Sequence, residues 1–520
     1  MLDGDWKKTV REESLQPGKP VVATVEDQEI MLVRVGDRIA ACGNKCTHYG
    51  GPLNQGLVIG DKVICPWHNA RFDVTTGAKE SPPGLGGVAS YEVKTEAGEV
   101  YVRQRAAENT APRGKGKDSS VLILGAGAAG DTAAETLRSA GYEGKITLVT
   151  QEVDAPYDRT VLSKGFISGE AKAEWLPLRE KDFYRDGGVE LVTGKRIVGF
   201  DPLTKTATFE DGSKLHGDQV LLCTGSVPRK LNLPGSELAN TFYLRSMKDA
   251  ERIVAAIKEA KKAVILGSSF IGLEAASGLR ERKIEVHIVA PEKTPLESVF
   301  GERVGRRIRR IHEENGVNFH LERTAKEIQG SGRVSRVLLD DGTTLDADLV
   351  IIGVGVLPAV DFLANTGLVE NGSIPVNGRL ESKFPGVFAA GDIALVPDPH
   401  GGGPVRIEHW VVAQRHGMHA AKAMLGEAED FAEPPFFWTM QYGNSIKFAG
   451  SSVGHDEIVY RGDVDNDTFS AGYFRTGRLT GVSTIGRGRD VLVAGELLKE
   501  GVDVSPAQFR DTEDLETLLP

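Results

Sequence analysis

SSVLILGAGAAGDTAAETLR (119–138) and KKAVILGSSFIGLEAASGLR (261–280) share one pattern, an apolar strand that runs through glycines into a helix. A second pair follows them. FEDGSKLHGDQVLLCTGSVPR (209–229) matches LDDGTTLDADLVIIGVGVLPA (339–359), each an Asp-Gly turn leading into a buried-looking strand. Such self-similarity means that one supersecondary plan is used twice. Strand–glycines–helix is the plan of a dinucleotide-binding fold, so two such folds stand in tandem. In the first copy Gly125 makes the turn, Gly127 lets the backbone approach a pyrophosphate, and Gly130 lets helix and strand pack closely. The phosphate would meet the helix N-terminus, whose free N–H groups and dipole favour an anion. The second copy keeps Gly267 and Gly272 but carries Ser269 between them, a side chain small enough to leave the approach open. Two sites of this kind point to FAD in the first and a nicotinamide nucleotide in the second, a hydride donor facing a flavin.

The strand ends set the ribose contacts. Strand 146–150 stops at Gln151-Glu152, where an acid normally holds the ribose; either residue can hydrogen-bond it. The second-copy strand ends at Ala290-Pro291, with Glu292 and Lys293 next. Glu292 can reach a ribose from the loop, whereas Lys293 would favour a 2′-phosphate. No Arg stands there as a bidentate phosphate clamp, so the expectation is NADH, weakly preferred.

Towards the N-terminus the texture changes. Alternating runs such as VVATVEDQEIMLVRV (21–35) and VASYEVKTEAGEVYVRQ (88–104) read as β-strands between Gly- and Asp-rich turns. AAENTAPRGKGKDSS (106–120) reads as a linker. Within the β region lie Cys46-Thr47-His48 and Cys65-Pro66-Trp67-His68. Structural zinc sites usually take a Cys pair from one loop and a His pair from another. Here each loop supplies one Cys and one His, which fits a [2Fe–2S] centre with both thiolates on one iron and both imidazoles on the other; zinc is the competing reading. Cys42 reads as a small buried side chain.

The whole-chain figures agree. With 520 residues, 40% apolar and 26% charged, the chain is ordinary globular material for several domains. Its 62 basic and 73 acidic residues leave a net charge of −11, which argues against nucleic acid as a partner. Four cysteines exclude a disulfide scaffold and suit a reducing compartment. MLDGDWKKTVREE has no apolar signal core and no run spans a membrane, so the expected location is the cytoplasm. Three local features have plain readings: Arg461-Gly462-Asp463 as a β-turn, RRIRRI (306–311) as the solvated face of a helix, and DTEDLETLLP (511–520) as a solvated helix or fraying tail. FFW (436–438) reads as core of a C-terminal β region that ends in a helix near 487–499.

The CTH and CPWH loops resemble the Rieske family, over residues 5–104. That resemblance implies Cys46 and Cys65 on one iron and His48 and His68 on the other. High-potential members carry an extra disulfide where this chain has Gly51 and Trp67, so the likeness is to the ferredoxin-type domains of oxygenase systems, with a potential toward the low end, roughly −150 mV. Residues 119–520 resemble the oxygenase-coupled ferredoxin reductases and the apoptosis-inducing-factor-like flavoproteins. PYDRTVLSKG (156–165), LLCTGSVPR (221–229), VFAAGDIA (387–394) and EHWVVAQRHG (408–417) carry the likeness. It implies that Arg159 and Lys164 contact FAD, and that Glu274 pairs with Lys164 near the flavin N5 as the catalytic pair. It also implies that Thr224-Gly225 passes the FAD, that Gly391-Asp392 meets the ribityl chain, and that His409 and Trp410 close over the ring. No Cys pair accompanies the flavin motifs, so the expected acceptor is not a thiol but a one-electron centre, a small molecule or O₂, and a one-electron centre is fused at the N-terminus.

The expected architecture is multidomain α/β plus β: a Rieske domain (5–104), a linker (105–118), an FAD domain of the glutathione-reductase type (119–243 and 347–432), an NAD(P) domain (244–346) and an α+β reductase domain (433–520). The expected activity carries electrons from NAD(P)H through FAD to the [2Fe–2S] cluster and on to an acceptor such as a terminal oxygenase. A redox sensor or scaffold with slow NADH oxidation is the alternative. The C-terminal domain corresponds to a dimerisation domain, which leaves a homodimer open.

Overall fold

The computed structural model describes residues 5–105, 114–398 and 403–520. Most of the linker read at 105–118 therefore lies outside the described residues. No helix among those described is long and apolar enough to cross a membrane.

The N-terminal unit is β, as its alternating runs predict. Six antiparallel strands, in the order Lys7–Arg11, Glu99–Gln104, Ser90–Glu96, Arg38–Gly43, Gln28–Val35 and Val21–Val25, form one sheet. Four short strands, Leu57–Ile59, Lys62–Ile64, Arg71–Asp73 and Lys79–Ser81, form a second. One cluster loop follows the Arg38–Gly43 strand, and the other is the turn between Lys62–Ile64 and Arg71–Asp73. Cys42 is fully buried in the core, as read.

Both glycine motifs build parallel sheets. In the first, Ser120–Leu124 lies between Lys145–Val149 and Gln219–Leu222, flanked by Val189–Val192 and Val387–Ala389. In the second, Lys262–Leu266 lies between Glu285–Ala290 and Leu349–Ile352. Strands Thr241–Phe242 and Leu349–Ile352 pair in the second sheet, so the sheet reaches beyond the 244–346 boundaries on both sides. A two-stranded ribbon, Ser226–Pro228 against Val356–Pro358, joins the two folds. The C-terminal domain is a five-stranded antiparallel sheet covered by the helix Gly488–Lys499.

Three plain readings change. Arg461-Gly462-Asp463 ends the strand Glu457–Asp463 rather than forming a turn, and Arg461 is buried. Its guanidinium donates to the carbonyls of Thr512 at 2.6 Å and Glu513 at 3.1 Å. It thereby pins the C-terminal segment, whose Leu515 is buried with Leu497 and Phe509 instead of fraying. In the helix Glu302–Glu314, Arg306, Arg309 and Arg310 do face outward, but Arg307 is buried and grips Asp467 at 2.6 Å. A buried Arg persists because the carboxylate compensates its lost hydration.

The Rieske unit does not hang on its linker. Leu57 and Ile64 enter one apolar cluster with Phe474, Leu492 and Leu497 of the C-terminal domain. Buried Arg71 reaches Glu496 at 2.5 Å and Glu433 at 3.3 Å, and buried Arg415 donates to Asn69 Oδ1 at 2.6 Å. Arg179 donates to the Leu85 carbonyl at 2.7 Å while holding Asp131 of the first glycine-motif helix. Shared apolar burial with desolvated charge pairs makes a fixed interface rather than a tethered domain.

Candidate functional site

A cavity of about 390 Å³ opens at the end of the first parallel sheet. Gly125, Gly127, Gln151, Glu152, Arg159, Lys164, Thr224, Gly225, Glu274, Gly391, Asp392 and Trp410 all line it. The glycines do what their spacing predicts. Gly125 has φ +120°, and a Cβ there would lie 2.2 Å from the Cys223 carbonyl oxygen. A Cβ on Gly130 would lie 1.9 Å from the Gly125 carbonyl oxygen, so Gly130 is the packing glycine and stays off the wall. Gly127 faces open space at the start of the helix Ala128–Ser139. The Trp410 indole Nε1 is buried on the wall and has no partner among the described residues, a donor kept for something bound there. Backbone amides at a helix start, an unpaired indole donor and the cationic Arg159 and Arg245 fit a flavin dinucleotide.

Lys164 and Glu274, from different repeats, meet on this wall at 3.0 Å. Glu274 is buried and also accepts from Ser163 Oγ at 2.5 Å and Thr439 Oγ1 at 2.6 Å. Lys164 also donates to the Thr160 carbonyl at 3.0 Å. Arg159 reaches Glu152 and the Arg245 carbonyl, the latter at 3.0 Å. His409 does not line the cavity. Its ring stacks on Phe437 at 4.0 Å, and burial holds it down at about 4, so it is neutral. Cys223 is buried with its thiol on the Gly125 carbonyl at 3.1 Å, and burial pushes it up, so it is no electron-accepting thiolate.

In the second motif Gly267 has φ +106° and Gly272 packs on its carbonyl. Ser269 caps the helix Phe270–Glu281, and its hydroxyl is turned inward onto the Gly353 carbonyl at 2.8 Å, leaving the approach clear. Glu292 is exposed and touches Ser268 Oγ at 3.3 Å, beside the glycine turn. Lys293 turns away to Glu302 at 2.9 Å.

The four cluster residues come together as two pairs. His48 Nδ1 and His68 Nδ1 are 3.0 Å apart, close enough for one metal ion to take both at about 2.1 Å. Cys46 and Cys65 share a hydrogen bond, which pulls Cys65 down to about 7 against its burial and pushes Cys46 up; amides of Trp67 and His68 also point at Cys65. Among the described residues no three His, Cys, Asp or Glu side chains are placed to hold a single ion. Two thiols and two imidazoles that pair separately instead of converging on one point suit two irons rather than a single tetrahedral zinc. A Cβ on Gly51 would lie 2.9 Å from Cys65 Sγ and 3.1 Å from the Trp67 ring, so only glycine fits.

The imidazole edge of this centre faces the reductase. The His48 side chain is 4% exposed and its Nε2 lies 3.7 Å from Asp158 Oδ2. The His68 ring lies 4.1 Å from the ring of Trp438, and burial holds it well below its ordinary value. Burial raises the Asp158 carboxyl, but the His48 imidazole and hydrogen bonds from Thr160 and Tyr49 outweigh it and hold it low. Asp158, Arg245, Ser163, Thr439 and Trp438 were not found from sequence. Asp158 and Ser163 lie inside the PYDRTVLSKG segment and Trp438 inside FFW, whereas Arg245 and Thr439 stood in no motif.

Fold and site together define a flavoprotein oxidoreductase with a [2Fe–2S] domain fused to it. The chain belongs to the pyridine nucleotide-disulphide oxidoreductase family, whose model matches residues 119–417. Residues 5–92 match the Rieske [2Fe-2S] domain and residues 436–519 the reductase C-terminal domain. Apoptosis-inducing factor 3 of Homo sapiens is 36% identical over 490 residues, 91% of this chain and 80% of that protein. Rhodocoxin reductase of Rhodococcus erythropolis is 32% identical over 395 residues, 76% of this chain and 92% of that protein. The ferredoxin reductase for the CYP199A2 system from Rhodopseudomonas palustris superposes with TM-score 0.74 at 31% identity, covering 77% of this chain and all of that one. The chain is thus an NAD(P)H-dependent electron-transfer oxidoreductase that uses FAD and a [2Fe–2S] centre.

Proposed function

We propose that electrons move inside this one chain, from NAD(P)H at the second glycine motif, by way of the FAD cavity, to the centre held by Cys46, His48, Cys65 and His68, and then to a separate acceptor protein such as a terminal oxygenase. The observation that carries the internal route is the burial of both cluster imidazoles against the reductase, His48 beside Asp158 and His68 on Trp438. Asp158 directly precedes Arg159, which lines the cavity. Flavin supplies the change from two-electron hydride acceptance to single-electron release, and the cluster accepts one electron at a time.

The residues orient and insulate. Gly125, Gly127 and the helix start hold the pyrophosphate, and Arg159 and Arg245 add positive charge. Thr224-Gly225 and Asp392 line the path of the ribityl chain, and Trp410 offers its indole N–H. Lys164 and Glu274 present a fixed ion pair to the reacting edge. Gly267, Ser269 and Gly272 hold the nicotinamide nucleotide. Glu292, beside Ser268, takes the ribose while Glu302 draws Lys293 aside, which supports NADH over NADPH. The working units are 5–104, the two glycine-motif folds joined by their ribbon, and 433–520.

The test is anaerobic mixing with one equivalent of NADH, followed by electron paramagnetic resonance of freeze-quenched samples. The cluster signal should appear at the rate of flavin re-oxidation, and a cluster that stays oxidised would overturn the internal route. The likeness to apoptosis-inducing factor 3 over 91% of the chain favours one other reading, a slow redox sensor. Rapid NADH–ferricyanide and cytochrome c turnover supports the electron carrier; slow turnover with NADH-driven dimerisation supports the sensor.

A further inference from the structure

Asp158 has no task at the flavin cavity. Its neighbours Arg159 and Thr160 line that cavity, as do Ser163 and Lys164, but Asp158 does not. It is 2% exposed and points the other way, across the domain interface. Oδ1 is fixed by the Thr160 amide at 2.8 Å and the Thr160 hydroxyl at 2.7 Å. The Asp158 amide is tied to the Leu176 carbonyl at 2.8 Å. Oδ2 is left for the Rieske domain, where it accepts from the Tyr49 hydroxyl at 2.8 Å and lies 3.7 Å from His48 Nε2. With Nδ1 of His48 turned to Nδ1 of His68, Nε2 is the nitrogen that carries the proton when the imidazole ligates through Nδ1.

We propose that Asp158 is a positioning residue for the cluster ligand His48, setting its carboxylate against the outward N–H of the imidazole from the reductase side and holding the cluster potential low. A carboxylate on the distal nitrogen of a ligating histidine fixes tautomer and ring orientation and makes the ligand more electron-donating. Negative charge close to a cluster stabilises its oxidised form, and hydrogen bonding and charge around the ligands are the protein's means of setting the potential. The cationic Lys447, which donates to the Pro66 carbonyl at 2.6 Å, acts on Cys65 and His68, so Asp158 offsets it. This deepens the internal route, and it rests on that route for its meaning: the reductase domain would set the potential of the centre it feeds, and only when docked.

The experiment is a dithionite redox titration of the full-length holoprotein, read by electron paramagnetic resonance, on wild type, Asp158→Asn and Asp158→Glu. Asp158→Asn should raise the reduced-to-oxidised ratio about tenfold at a given poise, which is about 59 mV for a one-electron couple. Asp158→Glu, which keeps the charge, should stay within about twofold of wild type. If Asp158→Asn keeps FAD but loses the cluster while Asp158→Glu retains it, the charge is needed to hold the ligand and the proposal stands. An unchanged titration in Asp158→Asn, or loss of the cluster in both variants, overturns it. Dithionite bypasses NADH and FAD, so failure of the internal route would show only in the NADH experiment.

Discussion

Lys164→Ala tests the ion pair that the two repeats build together. The Glu274 side chain is 4% exposed and that of Lys164 is 20% exposed, with 3.0 Å between them. Removing the lysine leaves a buried carboxylate whose partners among the described residues are the hydroxyls of Ser163 and Thr439. Breaking a buried pair from one side costs about 3–5 kcal/mol, because the remaining charge keeps its desolvation penalty. The lysine is one-fifth exposed and two hydrogen bonds survive, which places the cost near the low end, about 3 kcal/mol. At 1.36 kcal/mol per tenfold, that cost caps the loss in FAD affinity or flavin-reduction rate at about 150-fold. The assay is stopped-flow flavin absorbance under saturating NADH, with FAD retention measured in parallel and exposed Lys181→Ala as the comparison. Glu274→Gln should lose less, since Lys164 keeps the Thr160 carbonyl and some water. Flavin reduction and FAD retention in Lys164→Ala both within threefold of wild type would refute the assignment.

Other consequences can be checked separately. Cys46→Ser should abolish the reduced-cluster resonance while FAD stays bound, and His68→Cys should change the spectrum; a variant spectrum identical to wild type removes these residues from the ligand set. For NADH against NADPH, the ratio of kcat/KM should favour NADH by roughly 10- to 100-fold, the worth of one charge contact, and Glu292→Ala should erase most of it. A tenfold preference for NADPH in wild type would mean that Lys293 faces the ribose. Arg71→Met, which leaves buried Glu496 without its cation while Glu433 keeps Lys499 at 2.6 Å, should slow NADH-driven cluster reduction without removing the cluster; an unaltered rate would show that the interface is not needed. Burial lowers His409 to about 4, and burial likewise lowers His312 to about 4. A depressed folded value means that the unfolded chain binds protons first as pH falls below about 6.5. The stability from these neutral histidines is therefore full above 6.5 and lost between 6.5 and 4, up to about 3 kcal/mol each. Tm should fall over that window, and less steeply in His312→Gln; equal slopes would argue against a buried neutral His312.

The parts whose geometry is local were legible in the order of residues. Gly125 and Gly267 sit at positive φ because each turn closes within a few residues. The cluster ligands lie on tight loops whose spacing already limits what they can hold. The repeat could announce two nucleotide folds because each fold rewrites the same strand, turn and helix. It could not draw the border between them, since Thr241–Phe242 and Leu349–Ile352 are assigned by the neighbours they pair with. The Arg-Gly-Asp tripeptide read as a turn because nothing near it in sequence shows that Arg461 clamps carbonyls some fifty positions later. Where the Rieske domain sits is visible in three dimensions alone. Tyr49 and Asp158 are 109 positions apart, and Trp438 reaches His68 from the C-terminal domain. Such contacts follow from how apolar faces and buried charges of separately folded domains fit one another. That fit depends on surface shape and desolvation in three dimensions, which a one-dimensional pattern of residues does not encode legibly.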